Sequence, residues 1–155
     1  MQQARASRSR PAAATPAAAG PAAPIWVRPV AAPINSVFGM RWGRPHRGDD
    51  FAAPAGAPIV AIGDGVVLAA GYLPEEGGYG EITLIQHAGG IISAYAHQSR
   101  LLVHAGQHVR AGQVIGAVGS TGHVTGPHLH FELRTLVHGG QIDPRPWLRA
   151  HHVAV

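Results

Sequence analysis

The chain has 155 residues, 46% of them hydrophobic and 13% charged, which is enough for one domain with a real core. Its net charge of +4 comes from Arg without Lys. Arg5, Arg8 and Arg10 sit in the first ten residues, and the nine Arg beyond them face eight acidic residues, so no specific nucleic-acid partner is expected. The absence of Cys excludes disulfides, thiolate zinc sites and cysteine nucleophiles, leaving 11 His and the carboxylates as metal donors.

Residues 1–23 are rich in Ala, Pro, Ser and Arg and show no apolar periodicity, which predicts a disordered tail or linker. Pro16 and Pro21 interrupt its Ala run, and Leu, Ile, Val and Phe are missing, so no secretory signal is legible. The chain is therefore expected to be part of a longer precursor, to have a misassigned start, or to leave the cell by another route. No later stretch is long enough to cross a membrane. Residues 24–152 are the predicted domain.

With 21 Gly and 13 Pro, short strands and many turns are expected rather than long helices. Ile34 to Gly39 alternates and then turns. Ala57–Ile62 reads as a strand, Gly63-Asp64-Gly65 as a turn, and Val66–Tyr72 as the partner strand. Pro74–Gly80 is a polar, Gly-rich loop. Ile82–His87 and Ile91–His97 flank Ala88-Gly89-Gly90, a strong hairpin signal. Between Val103 and Val118 the units Gly106-Gln107 and Gly112-Gln113, each followed by Val or His-Val, suggest a small repeat folded over a sheet edge. A strand from His128 through Leu136, a turn at 138–141 and a short helix near Pro146-Trp147-Leu148 complete an all-β, mainly antiparallel reading.

The most informative segment is Gly126-Pro127-His128-Leu129-His130-Phe131-Glu132-Leu133. Alternate residues of a strand share a face, so His128 and His130 point into one space about 6–7 Å apart. A metal ligand beside a proton carrier is one reading; a pair of surface histidines is the other. Upstream, His46-Arg47-Gly48-Asp49-Asp50 brings together residue types that bind zinc, with Gly48 allowing the chain to bend, although alone it reads more readily as a polar surface loop. Together the two segments supply the three ligands of a catalytic zinc site: His46, one of the two Asp, and one of the two late His. The remaining late His is free to act as general base.

In order along the chain, His46-x-Gly48-x-Asp50, Tyr95-Ala96-His97 and His128-x-His130, linked through Gly119-Ser120-Thr121-Gly122 and Thr125-Gly126-Pro127, resemble the lysostaphin-type (LytM-type) zinc endopeptidases of the bacterial cell wall. The resemblance runs from about Pro33 to Leu148. It implies a compact antiparallel β domain with a duplicated hybrid motif. It also implies one Zn2+ held by His46, Asp50 and His130, with His97 and His128 catalytic, His128 being the favoured base. The substrate would be peptidoglycan, cut in a cross-bridge or a stem peptide outside the membrane, and a monomer is expected. Neutral imidazoles would be needed, so activity should fall below about pH 6.

Other residues carry weaker signals. His87 is expected to be exposed at a strand end, and His104, His108, His123, His138, His151 and His152 match no motif. Tyr95 is read as core, Trp26, Trp42 and Trp147 as packing on the sheet or rim, and Glu75 and Glu76 as part of a solvated turn that can wall a cleft. Two competitors remain. A catalytically silent wall-binding or activating module would require a damaged site, and the motif positions are intact. A biotinyl- or lipoyl-like carrier fits the text of 103–116 but needs an acceptor Lys, which this chain lacks.

Overall fold

The computed structural model describes residues 24–137 and 139–155; the predicted tail, 1–23, and His138 lie outside the described residues. In chain order the strands are β1 (Ile34–Ser36), β2 (Gly39–Arg41), β3 (Arg44–His46), β4 (Asp49–Phe51), β5 (Pro58–Val60) and β6 (Gly65–Tyr72). Then follow a 3-10 helix (Pro74–Glu76), β7 (Glu81–His87), β8 (Ile91–Leu101), β9 (His108–Val109), β10 (Val114–Val118), β11 (Leu129–Thr135), β12 (Gln141–Ile142) and an α-helix, α1 (Pro144–Ala150). All pairings are antiparallel, as expected of an all-β domain. The main path runs β1-β4-β11-β8-β7-β6-β9. β10 joins β5 and β8, β12 joins β11, and β2-β3 stands apart as a hairpin.

The β7–β8 hairpin forms where alternating apolar text meets Gly89 and Gly90, both at positive φ. Pairing of Ala57–Ile62 with Val66–Tyr72 does not occur. β5 pairs with β10, whereas β6 pairs with β7 and β9. A short turn suggested a local hairpin, but the chain crosses over and both strands find distant partners.

The two Gly-Gln units do repeat a structure. Gln107 Oε1 accepts from His104 N and Gln113 Oε1 from Arg110 N, closing the same turn twice. Their backbones then dock on Val67 and Ala61.

Period-2 alternation sorts the central strands into two faces. One face carries Asp49, Phe131, Tyr95 and Thr83 in register across β4, β11, β8 and β7. It packs on the main core with Phe51, Ile59, Ile115, Leu129, Leu133 and Leu148. The opposite face carries Asp50, His130 and Ala96, again in register. Tyr95 is core as predicted, fully buried with its hydroxyl accepting from Ile62 N at 3.0 Å. Trp26 and Trp147 pack edge to face at 4.8 Å, as expected. Trp42 instead projects at the β2–β3 turn, 97% exposed.

Candidate metal centre and cleft

Alternation settles which aspartate faces which way. Asp49 points to the core, fully buried, with Oδ1 accepting from Phe38 N at 2.8 Å; burial raises its pKa. Asp50, one residue on, faces the opposite side directly across from His130. Burial alone would raise the Asp50 pKa, but hydrogen bonds and charge from His130 and His46 outweigh it and hold the carboxyl well below the usual range.

His46 reaches the same point from the end of β3, its Nε2 3.2 Å from Asp50 Oδ2. His130 Nδ1 lies 2.8 Å from Asp50 Oδ1. Ligand atoms of His46, Asp50 and His130 all fall within 4.8 Å of one another, close enough to share one ion. The Gly48 between them is required for a reason other than a bend. A Cβ there would sit 2.1 Å from the Phe131 carbonyl oxygen, so only glycine lets this loop lie against β11.

His128 and His97 complete the cluster. His128 Nε2 stands 3.7 Å from Asp50 Oδ1, and its ring centroid is 4.9 Å from that of His97. His97 reaches the cleft by an irregularity. Thr83 pairs with Tyr95, but Glu81 pairs with Gln98, so β8 carries a bulge with one extra residue. His97 adopts φ +62 there, a conformation uncommon for a non-glycine side chain. Strict alternation would have put His97 on the Tyr95 face, in the core. The bulge turns it to the His130 face, while its backbone N–H donates to Tyr79 O at 2.9 Å.

Each imidazole is fastened at the back by an acceptor. Nδ1 of His46 bonds the Val37 carbonyl at 2.9 Å, Nδ1 of His97 the Thr121 carbonyl at 2.8 Å, and Nδ1 of His128 the Gly126 carbonyl at 3.1 Å. A carbonyl can only accept, so each Nδ1 carries the proton, and in the neutral ring Nε2 keeps its lone pair. His130 is reversed. Its Nε2 bonds Glu132 Oε2 at 2.8 Å and its Nδ1 faces Asp50. Burial and the neighbouring imidazoles push the His97 pKa down to about 4. Burial would lower that of His130 as well, but the two carboxylates raise it to about 9. Three nitrogen and oxygen donors around one point, with their backs tied, fit Zn2+ and its preference for His and carboxylate ligands.

The cluster floors a cleft of about 1230 Å³, walled by the β2–β3 hairpin, the 76–79 loop and the 123–128 loop. Arg41, Arg44 and Arg47 face it. Glu75 and Glu76 were expected in a solvated turn, yet Glu76 binds Arg134 through both oxygens, at 2.7 and 3.2 Å. Thr121 braces His97 through its carbonyl, and its hydroxyl bonds Gln98 O at 2.7 Å, which gives the 119–122 segment a positioning function. His87, expected to be exposed, is buried at 3% and bonds Ser93 Oγ and the Asp64 carbonyl. His104, His108, His151 and His152 line no part of the cleft; His123 does. Glu132 and Tyr79 were not singled out from the sequence. The alternation that paired His128 with His130 also places Glu132 on their face.

Residues 44–144 match Peptidase family M23. The chain belongs to this peptidase family. It is 47% identical over 102 residues to the peptidoglycan DD-endopeptidase ShyC of Vibrio cholerae, covering 66% of this chain and 22% of that protein. Among solved structures, a zinc-containing peptidase from Vibrio cholerae superposes with TM-score 0.66 at 37% identity, covering 77% of this chain and 37% of that one. The catalytic domain of the antimicrobial peptidase lysostaphin from Staphylococcus simulans superposes with TM-score 0.67 at 32% identity, covering 76% and 92%. The M23 domain spans about a quarter of the length of the curated relatives it matches.

Proposed function

We propose that residues 24–152 form a zinc-dependent endopeptidase domain that hydrolyses peptide bonds of peptidoglycan outside the cytoplasmic membrane. The convergence of His46, Asp50 and His130 on one point, with His97 and His128 beside it, carries this reading. His46 through Nε2, Asp50 through its carboxylate and His130 through Nδ1 would hold the zinc. Bound zinc supplies Lewis acidity, which makes water a nucleophile near neutral pH and polarises a scissile carbonyl.

His128 serves as the general base. Its Nε2 faces the cleft 3.7 Å from Asp50 Oδ1, and it returns the proton to the leaving amine. His97 is the poorer proton acceptor because burial disfavours its charge. Kept neutral by burial and held in the Nδ1–H tautomer by the Thr121 carbonyl, it presents an Nε2 lone pair that orients the attacking water. Intact ligand and proton-transfer positions argue against a silent module.

The proposed substrate is a stem peptide rather than a neutral oligoglycine bridge. Arg44 and Arg47 line the cleft, as does Arg41, which stands 3.8 Å from Asp50; Asp50 is engaged by histidines as well, and Glu76 by Arg134. A carboxylate-bearing peptide complements that excess of guanidinium. The naming of ShyC as a peptidoglycan DD-endopeptidase supports this choice. Among the described residues no helix is long and apolar enough to cross a membrane.

Mass spectrometry of fragments released from purified peptidoglycan by the zinc-loaded protein and by His130→Ala tests the proposal. New peptide termini in stem peptides, made only by the unmodified protein, are expected. No release from walls with either stem-peptide or glycine cross-links would overturn it.

A further inference from the structure

Glu132 is fully buried, and its carboxylate is saturated with donors. Oε2 accepts from His130 Nε2 at 2.8 Å and from the Tyr79 hydroxyl. Oε1 accepts from Arg134 Nε at 3.0 Å and from Gln141 Nε2 at 3.1 Å. A buried carboxylate is tolerated only with such compensation. Arg134 spans from this carboxylate to Glu76 in the cleft wall. Tyr79, from the same wall, lays its ring against that of His130, centroids 4.9 Å apart. One side of the His130 imidazole is thus fixed by a charge-assisted bond and one face by an aromatic ring.

His130 is also the odd ring of the set. The other three imidazoles rest on backbone carbonyls through Nδ1, and His130 alone rests on a carboxylate through Nε2. A carboxylate behind the ring makes the opposite nitrogen a better donor than a carbonyl does.

We infer that Glu132 is a positioning residue for the metal site: it holds the His130 proton on Nε2, so that Nδ1 is the zinc-binding atom, and through Arg134 and Glu76 it ties the cleft wall to that ligand. The inference rests on the zinc reading proposed above. Alternation explains how one strand supplies the parts. His128, His130 and Glu132 lie at successive same-face positions, giving a proton carrier, a ligand and the ligand's anchor.

The test is zinc affinity, measured by competition with a chromophoric chelator for the unmodified protein, Glu132→Gln, Glu132→Asp and Gln141→Ala. Glu132→Gln should keep a cooperative melt yet bind zinc about 10–100-fold more weakly, as loss of an outer anchor does elsewhere. Its Co2+ form should also show altered d–d absorption. Glu132→Asp, with the charge kept but withdrawn, should fall between. Gln141→Ala, which touches only Oε1, should bind as the unmodified protein does. Equal zinc affinity in a folded Glu132→Gln protein would overturn the inference while leaving the zinc reading intact. Failure of the unmodified protein to bind zinc would overturn the zinc reading itself. If Glu132→Gln does not fold, nitrogen-15 NMR of the zinc-loaded unmodified protein decides. A His130 proton on Nε2 supports the inference, and one on Nδ1 refutes it.

Discussion

Replacing Gly48 by alanine tests the close approach of the β3–β4 loop to β11. The added methyl would lie 2.1 Å from the Phe131 carbonyl oxygen and 2.9 Å from Glu132 Cγ, against an ordinary contact of at least 3.4 Å. The nearest obstacle is backbone in the middle of a sheet, so it cannot swing aside as a flexible side chain does. The loop must lift by more than an ångström, with His46 two residues before it and Asp50 two residues after. Overpacking of this kind costs about 1–3 kcal/mol. Displacement of a catalytic centre by about 1 Å can also lower activity about 10²-fold. Urea unfolding, a zinc titration and peptidoglycan turnover on the same G48A preparation measure these effects. A G48A protein that unfolds at the unmodified urea midpoint and binds zinc equally well would refute the argument that this contact sets the spacing of the ligands.

His128→Ala and His97→Ala are each expected to bind zinc as the unmodified protein does while losing about 10²–10⁴ in kcat/KM, since in the proposed mechanism they move or orient protons rather than hold the metal. Zinc content measured beside turnover checks this. Removal of zinc with a chelator should abolish cleavage, and re-addition should restore it; at about 100 times Kd the ion should stabilise the fold by about 2.7 kcal/mol, seen as a raised urea midpoint. A fourth prediction concerns His87, whose pKa is lowered in the folded state chiefly by burial, only partly offset by its bond to the Asp64 carbonyl. The unfolded chain then binds the proton more readily, so the stabilising contribution is complete above about pH 6.5 and is lost as pH falls toward the lower folded value. The slope of unfolding free energy between pH 6.5 and 5 should flatten in His87→Gln, and an unchanged slope would count against the assignment.

Much of the site was legible because it obeys two simple periodicities. Alternation alone put His128 and His130 on one face, and the hairpin text between His87 and Ile91 placed β7 against β8 in the observed pairing. The two Gly-Gln turns were visible as repeated text and recur as repeated hydrogen bonds. What escaped depends on contacts between distant segments. The partner of β5 is β10, more than fifty residues away, and no local turn announces it. His87 sits beside a turn but is covered by Trp26, whose ring lies 5.3 Å away after a long path through the chain. Resemblance to a family, not spacing, separated Asp50 from Asp49; the structure gives the physical reason, because one side chain caps Phe38 in the core and the other meets His130 across the sheet. Nothing local predicts that the 74–80 loop would lend Tyr79 and Glu76 to the back of a histidine.

The bulge in β8 makes the strand change parity. Before it, odd-numbered residues look into the core, as Ser93 and Tyr95 do; after it the even-numbered Gln98 takes that side, fully buried, with its amide on Thr83. His97 stands at the changeover. Deleting Ala96 would remove the extra residue and restore a single phase, with the imidazole taking the place of Ala96 directly across from His130 and no candidate zinc ligand touched. The bulge thus lets two successive residues, Ala96 and His97, look to the His130 face, and a change of one residue in strand length moves the imidazole by one position relative to the candidate zinc ligands while leaving those ligands in place.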